Sequence, residues 1–557
     1  MSKSKLITFA QTTAMIAGGI LLSACGGGGG GGSTPGTPTS GSPPTPPTSQ
    51  GPSWAQGVFE PASDFKDFCA APRSGVDIEG NPFPDRQGTL ADELFWLRSW
   101  TNETYLWNDE VTDQNPDGFS DRLSYFAVLK TDAVEPSGED RDDFHFSQST
   151  EAFLAARNSV GNPGFGASLA VLQGSRPRDI RVAYTEPNSP ASTPVGGVVP
   201  LPRGTRILEI DGEDVVNGFT TQAELDRLNT ILFSPASVGE TYQFRVEDTD
   251  GTIRTVDLTT ADISRKPVLT TSVINTATGN VGYVVFNTFS PFSSEEEIIL
   301  AIQEMRNAGV SDLVLDLRYN GGGLLAVASQ LAYMIAGPSR TSGAAFEQLV
   351  FNDQAGNFNP VTGERNDPIL FYNQVLGFDS GSSLSTGASL PSLNLNRVFV
   401  LSTGRTCSAS EAVINGLRGV DVEVVLIGNT TCGKPYGFYP QDNCGETYYT
   451  IQFQGTNNKG FGAYADGFIP NNSTANFGVR VAGCQVSDDL NNPLGSTSEG
   501  LLAAALDYRT TNSCPSVSTK TVSTFVGNKI ADPVEFSPET QAEAFFLRNN
   551  RDMSMPE

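Results

Sequence analysis

From Val281 the chain alternates runs that suit strands with runs that suit helices. Val281–Phe286 and Asp312–Leu317 are short and almost wholly apolar, as is Arg397–Leu401 after its first residue. Between them, Ile298, Ile302 and Met305 recur at helical spacing, Leu324–Ala336 is a second helical run, and Ala412, Val413, Ile414 and Leu417 offer a third buried face. A further apolar run, Val422–Ile427, ends at Gly428. Strands alternating with helices must share a sheet that the helices cover, so residues 264–514 are expected to form an α/β core. Within it, residues 337–395 are polar and Gly/Ser-rich and read as an insertion near the functional site. Ser294-Glu295-Glu296-Glu297 has the spacing of a helix-capping box.

At 557 residues the chain exceeds what one core can organise. Residues 161–263 have a β texture: a glycine-containing loop leading into a strand over 164–171, a strand at 180–184, a strand and turn over 204–212, one helix over 220–233, and a hairpin around Asp250-Gly251. Residues 54–158 are expected to be a small, largely helical domain, with Thr89 as N-cap and Asp92 three residues on. Its aromatic residues, Trp96, Trp100, Tyr105 and Trp107, are read as packing. So is His145, the only histidine. Residues 26–53, rich in Gly and then in Pro, Thr and Ser, form a tether. The tail, 515–557, is low in pattern.

Lys3 and Lys5, then an apolar run from Leu6 to Leu22 and the small residues Ser23 and Ala24, make residues 1–25 an export signal. Leu22-Ser23-Ala24-Cys25 resembles a bacterial lipobox, which implies lipidation of Cys25 and a membrane-anchored protein of the bacterial envelope, facing the periplasm or the surface. A net charge of −27 argues against nucleic acid as a partner, since phosphate contacts require clustered Lys and Arg. Six cysteines remain after Cys25, an even number that suggests disulfides in an exported chain. Three of these lie between Thr406 and Gly445, so at least one bridge is expected to brace the loops there. No close Cys-x-x-Cys pair is present, so neither a metal nor a cofactor is expected.

The chemistry concentrates in Leu401–Gly437. A polar turn after the strand presents Ser408 at a helix start, and the loop after the next strand carries Lys434. A serine nucleophile needs a base. His145 belongs to another region, which leaves lysine, a base only when neutral and therefore best buried. The spacing Ser408-x-x-Glu411 equally fits a plain helix cap, and Ser410 is an alternative nucleophile on spacing alone. Gly321, Gly322 and Gly323 form a tight turn after a strand and expose backbone N–H groups.

Leu315-Asp316-Leu317-Arg318-Tyr319-Asn320-Gly321-Gly322-Gly323, Ser408-Ala409-Ser410-Glu411 and Gly433-Lys434 together resemble the tail-specific, or C-terminal processing, serine proteases. Gly164-Phe165-Gly166, Ser189-Pro190-Ala191 and Arg206–Gly212 resemble a PDZ domain. The likeness covers about residues 160–510 and implies a role for each matching position. Ser408, not Ser410, attacks, with Lys434 as general base and Glu411 supporting the site. Backbone N–H groups of Gly321 or Gly322 and of Ala409 form the oxyanion hole. The loop Gly164-Phe165-Gly166 receives the C-terminal segment of a polypeptide substrate.

Two departures stand out. Pro435 follows the lysine where the family has Gly, and Phe438 stands where it has Gln, a role Gln441 is a candidate to fill. The expected function is a serine endopeptidase acting on envelope or exported proteins. The alternative is a non-catalytic peptide-binding or scaffold lipoprotein that keeps the protease fold. No G-x-S-x-G elbow surrounds Ser408, which disfavours an α/β-hydrolase esterase.

Overall fold

The computed structural model describes residues 51–157, 161–233, 235–515, 551–553 and 555–556. The apolar leader, Cys25, most of the tether and most of the tail lie outside these. Among the described residues no helix is long and apolar enough to cross a membrane.

Period-two alternation builds the central sheet. In the strand Gly279–Phe286, Val284 and Phe286 enter one core, while Val281, Tyr283 and Val285 enter another. Asp312–Asp316 splits in the same way, with Leu313 and Leu315 opposed to Val314. In Arg397–Ser402, Val398 and Val400 oppose Phe399 and Leu401. Such strands must be buried on both faces, which is the condition of a helix-covered parallel sheet. The sheet order is Val268–Thr276, Gly279–Phe286, Asp312–Asp316, Arg397–Ser402, Glu423–Gly428 and Gly483–Gln485. The first two strands form an antiparallel hairpin, and every other neighbouring pair is parallel. Helices Ser294–Asn307, Leu325–Ala336 and Ala409–Gly419 pack on one face, and Gly500–Thr511 on the other.

The Thr89–Asp92 capping box forms at the start of helix Leu90–Thr104. The one expected at Ser294 does not. The Glu297 carboxylate instead accepts the Val268 N–H at 3.0 Å and Lys266 Nζ at 2.9 Å, and Ser294 Oγ donates to Phe289 O at 2.7 Å. Tertiary partners outcompete the local cap.

Residues 337–395 are more than a polar excursion. Ala345–Val350 pairs with Phe453–Thr456, and Phe346, Phe371, Val375 and Leu390 enter the main core. Buried Glu295 anchors the segment by accepting the N–H groups of Leu376, Gly377 and Phe378.

Residues 54–157 share their packing with the 436–451 region. Trp96 and Trp100 stack at 5.0 Å and both pack on Tyr448. Strand Phe146–Ser149 pairs with Glu446–Tyr449, and Cys69 is bonded to Cys444.

Residues 161–263 carry their own core around Ile180, Val182, Leu228 and Phe244. Their sheet runs in the order Ile253–Thr259, Thr241–Glu247, Arg206–Ile210, Asp179–Thr185 and Ala167–Gln173, with helix Gln222–Phe233 completing the module. Arg203 links it to the α/β core, donating to Asp488 Oδ1 at 2.7 Å and to the Tyr319 hydroxyl at 2.6 Å.

Candidate active site

The carboxyl ends of the parallel strands bring four segments side by side. The turn after Arg397–Ser402 is stitched to the glycine turn after Asp312–Asp316. Thr406 Oγ1 donates to Leu317 O at 2.8 Å, and Asn320 O accepts both the Cys407 N–H and the Ser410 hydroxyl, each at 3.1 Å. Ser410 is therefore engaged in holding the turn.

Ser408, between these anchored neighbours, has φ 57° and ψ −104°. A non-glycine residue held there costs about 1–3 kcal/mol, which the surrounding hydrogen bonds must offset. The result is a strained strand-to-helix elbow, reached without flanking glycines. Ser408 is fully buried, and its Oγ has no hydrogen-bond partner among the described residues.

Glu411, also fully buried, joins the Ser408 elbow to the Lys434 loop. Its Oε2 accepts the Ser408 N–H at 2.9 Å and the Lys434 N–H at 2.8 Å. Its Oε1 accepts the Gly433 N–H at 2.9 Å and Thr431 Oγ1 at 2.5 Å. Burial pushes this carboxyl above its ordinary range, while the four donors pull toward the ionised form. A disulfide between Cys407 and Cys432, with Cα atoms 5.2 Å apart, ties the same two segments a second time. Atoms of Cys407, Glu411 and Cys432 lie within 4.8 Å of one another. Bonded sulfurs offer no thiolate, so the set does not fit a metal.

Lys434 is fully buried. Its Nζ lies 4.4 Å from the centroid of the Phe144 ring and 4.7 Å from that of Phe438. Gly433, at φ 87°, lies so close to Ala465 O that a Cβ would collide with it, so the loop needs glycine there. Gln441 is engaged elsewhere. It accepts from Lys66 Nζ at 3.3 Å and donates to Pro440 O at 3.1 Å. Phe438 itself lines the amine where the resemblance leads one to expect a glutamine.

In the glycine turn, the Gly322 N–H donates to Asn320 Oδ1 at 2.8 Å, and Asn320 Nδ2 donates to Phe286 O at 2.8 Å. Gly322 is thus occupied. Gly321 N–H has no hydrogen-bond partner among the described residues, and Ala409 opens its helix, where an N–H lacks an intrahelical acceptor. Behind the turn, buried Arg318 pairs with Asp316, Glu499 and Asp488.

Residues 280–442 match the profile of peptidase family S41. The chain carries a peptidase family S41 domain. It is 25% identical over 253 residues to the chloroplastic C-terminal processing peptidase of Tetradesmus obliquus, which covers 44% of this chain and 50% of that one. The chain thus spans about half the length of this curated relative. The crystal structure of an S41 protease from Bacteroides fragilis superposes with a TM-score of 0.54 at 24% identity, covering 75% of this chain and 97% of that one. This likeness shows a shared fold. The photosystem II D1 C-terminal processing protease is more distant, with a TM-score of 0.38 at 18% identity over 70% of this chain and 92% of its own.

Three residues that line or brace this part of the S41 domain carried no sequence signal of their own. Phe144 sits beside the lone histidine, far in sequence from Lys434. Thr431 reads as an ordinary loop residue, and Asn320, although within the Leu315–Gly323 motif, is assigned no role by it. His145 packs. Its ring stacks on Phe126 at 3.8 Å, Nε2 is 2.8 Å from Phe126 O, and Nδ1 is 3.1 Å from Thr450 Oγ1. Burial holds its pKa below the ordinary histidine value, favouring the neutral ring.

In the module before the S41 domain, Gly164 pairs with Ala261, and Phe165 is a core residue against Phe244 at 5.1 Å. Gly166, at φ 76°, abuts Ser189 so closely that a Cβ would clash. Ala167–Gln173, which follows this loop, is the outer strand of its sheet.

Proposed function

We propose that the protein is a serine endopeptidase working through Ser408 and Lys434. One observation carries the reading. A single carboxylate oxygen, Glu411 Oε2, accepts the backbone N–H of both residues, so the two segments share one buried anchor. Neutral Lys434 takes the Ser408 proton as Oγ attacks the scissile carbonyl carbon. The N–H groups of Gly321 and Ala409 receive the developing oxyanion. As the tetrahedral intermediate collapses, the lysine returns the proton to the leaving amine. Water, deprotonated by the same lysine, then releases the acyl group from Ser408. Glu411 is a positioning residue that touches no reacting atom.

Residues 161–263 act as a PDZ-like module. The loop Gly164-Phe165-Gly166 offers backbone N–H groups to a C-terminal carboxylate, and the outer strand Ala167–Gln173 offers an edge for strand addition. The buried Phe165 ring leaves only the backbone of that residue for recognition. Substrates are polypeptides presented through their C-terminal segments. A lipidated Cys25 places the enzyme on a bacterial envelope membrane.

The test uses purified protein and an unstructured polypeptide with an apolar C-terminus. Ser408→Ala and Lys434→Ala should each lower cleavage at least about a thousandfold. Undiminished cleavage by both variants sinks the dyad. Tight peptide binding without labelling of Ser408 by a serine-reactive probe points instead to a peptide-holding scaffold lipoprotein, the reading that Pro435 and Phe438 favour.

A further inference from the structure

Residues 551–553 meet the site from an unexpected direction. Arg551–Asp552 pairs in parallel with Gly323–Leu324, with Gly323 opposite Arg551 and Leu324 opposite Asp552. Gly323 directly follows Gly321 and Gly322 and, on its other side, forms a parallel bridge with Phe289. It has φ 132° and lies against Ser290 N, so only glycine fits this close backbone approach. Arg551–Asp552 also runs beside Tyr436–Gly437, the short strand just beyond Lys434. Met553 is half-buried against the main core. An extended piece of chain therefore lies between the turn that carries Gly321 and the segment that carries Lys434.

That is the path an extended substrate would take. Pairing through the main chain recognises a polypeptide without regard to its sequence, and a pocket beside the edge then selects one side chain. The outer edge of Gly323–Leu324 supplies the first element, and the apolar ground under Met553 the second.

We infer that Gly323–Leu324 is the strand on which an extended polypeptide substrate is paired beside Ser408, and that residues 551–553 hold this edge as a tethered competitor. The inference rests on the peptidase reading of the site and deepens it. The favoured ligand is an extended polypeptide with an apolar side chain where Met553 sits. A tethered segment has an effective concentration of about 1 mM, so an intrinsic affinity of about 0.1 mM leaves about one site in ten open.

The test keeps the full chain and replaces Asp552→Pro and Met553→Asp together. Gly322 O and the Leu324 N–H face Phe289, so Gly323 O faces the tail and Asp552 is placed to donate to it; proline there removes that donor, and aspartate cannot occupy the apolar position. Cleavage of the unstructured polypeptide should rise about tenfold in kcat/KM. A synthetic peptide of residues 549–556 should compete with substrate on the released variant and bind it, by fluorescence anisotropy, more tightly than it binds the unaltered protein. Unchanged kcat/KM together with no competition by the peptide overturns the inference while Ser408-dependent cleavage leaves the peptidase reading intact. Peptide binding to the released variant without any Ser408-dependent cleavage upholds the edge and fails the peptidase reading.

Discussion

At the scale of single residues, the decisive environment is that of the Lys434 amine. In the proposed mechanism this amine takes the Ser408 proton and becomes an ammonium, with the Phe144 and Phe438 rings 4.4 Å and 4.7 Å from Nζ. A ring face at this range attracts a cation, by about 1–2 kcal/mol when solvent is absent. Phe144→Leu should therefore lower kcat about fivefold with little change in KM, because the lost attraction belongs to the charge that forms during reaction. Phe144→Trp, which keeps a ring, should stay near the unaltered rate. Steady-state kinetics on a quenched polypeptide separate the two, and equal losses in both variants would reduce Phe144 to packing. Glu411→Gln is the second residue-scale prediction. An amide nitrogen would face donors that now meet an oxygen, leaving buried N–H groups without an acceptor. Stability should fall by about 3 kcal/mol, read from urea unfolding, with cleavage falling as well.

At the scale of elements, the Ser408 helix and the Lys434 loop are coupled by the Cys407–Cys432 bridge across a sequence separation of 25. Closing a loop of that size contributes about 3 kcal/mol in the chain-entropy view. The paired substitution Cys407→Ser and Cys432→Ser should lower the unfolding free energy by about that amount and slow cleavage, and a thiol reductant should slow the unaltered protein toward the same rate. Calorimetry and kinetics with and without reductant check this. An unmoved rate would leave Glu411 as the sufficient tie. The elements also show how far local patterns reach. Thr89 and Asp92 form the expected capping box because both sit at the surface, with no stronger partner in reach. Glu297 is drawn away by Val268 and Lys266, residues that come into place only when the hairpin before the sheet folds.

At the scale of the molecule, the module of residues 161–263 meets the α/β core at Glu186. Its carboxylate accepts the Lys266 N–H at 2.9 Å, and its own N–H donates to Gly166 O at 2.7 Å. Burial pushes the Glu186 carboxyl up to about 7, against the opposing pull of the Lys266 N–H and of Arg265. A carboxyl raised on folding favours the folded state most below its unfolded value, and that contribution is lost as pH climbs through the folded value. The protein should thus lose up to about 3 kcal/mol between pH of about 4.5 and somewhat above 7 from this group alone. Glu186→Gln should flatten that part of a thermal-stability profile, and a parallel profile would place the pH dependence elsewhere. The N-terminal residues make a second point at this scale. Trp96, Trp100 and Phe126 pack on Tyr448, so residues 54–157 and the segment after Lys434 fold around common cores.

The sequence by itself determined the α/β core, because strands apolar on both faces can be satisfied only between layers of helices. It also drew attention to the turn that carries Ser408 and Ser410 and to the loop that carries Lys434, because a chain with one histidine has few bases, and the resemblance to C-terminal processing proteases then pointed to Ser408 and Lys434. Tertiary structure decided what local periodicity does not encode. It left Gly321 rather than Gly322 with an available N–H, since Asn320 Oδ1 takes the other. It selected one arrangement of disulfides, 69–444, 407–432 and 484–514, from the 15 that six cysteines allow. It carried Phe144 to the amine and Arg551–Asp552 to the glycine turn. These are contacts between segments hundreds of residues apart, made only when the layers close, and no window of sequence contains both partners.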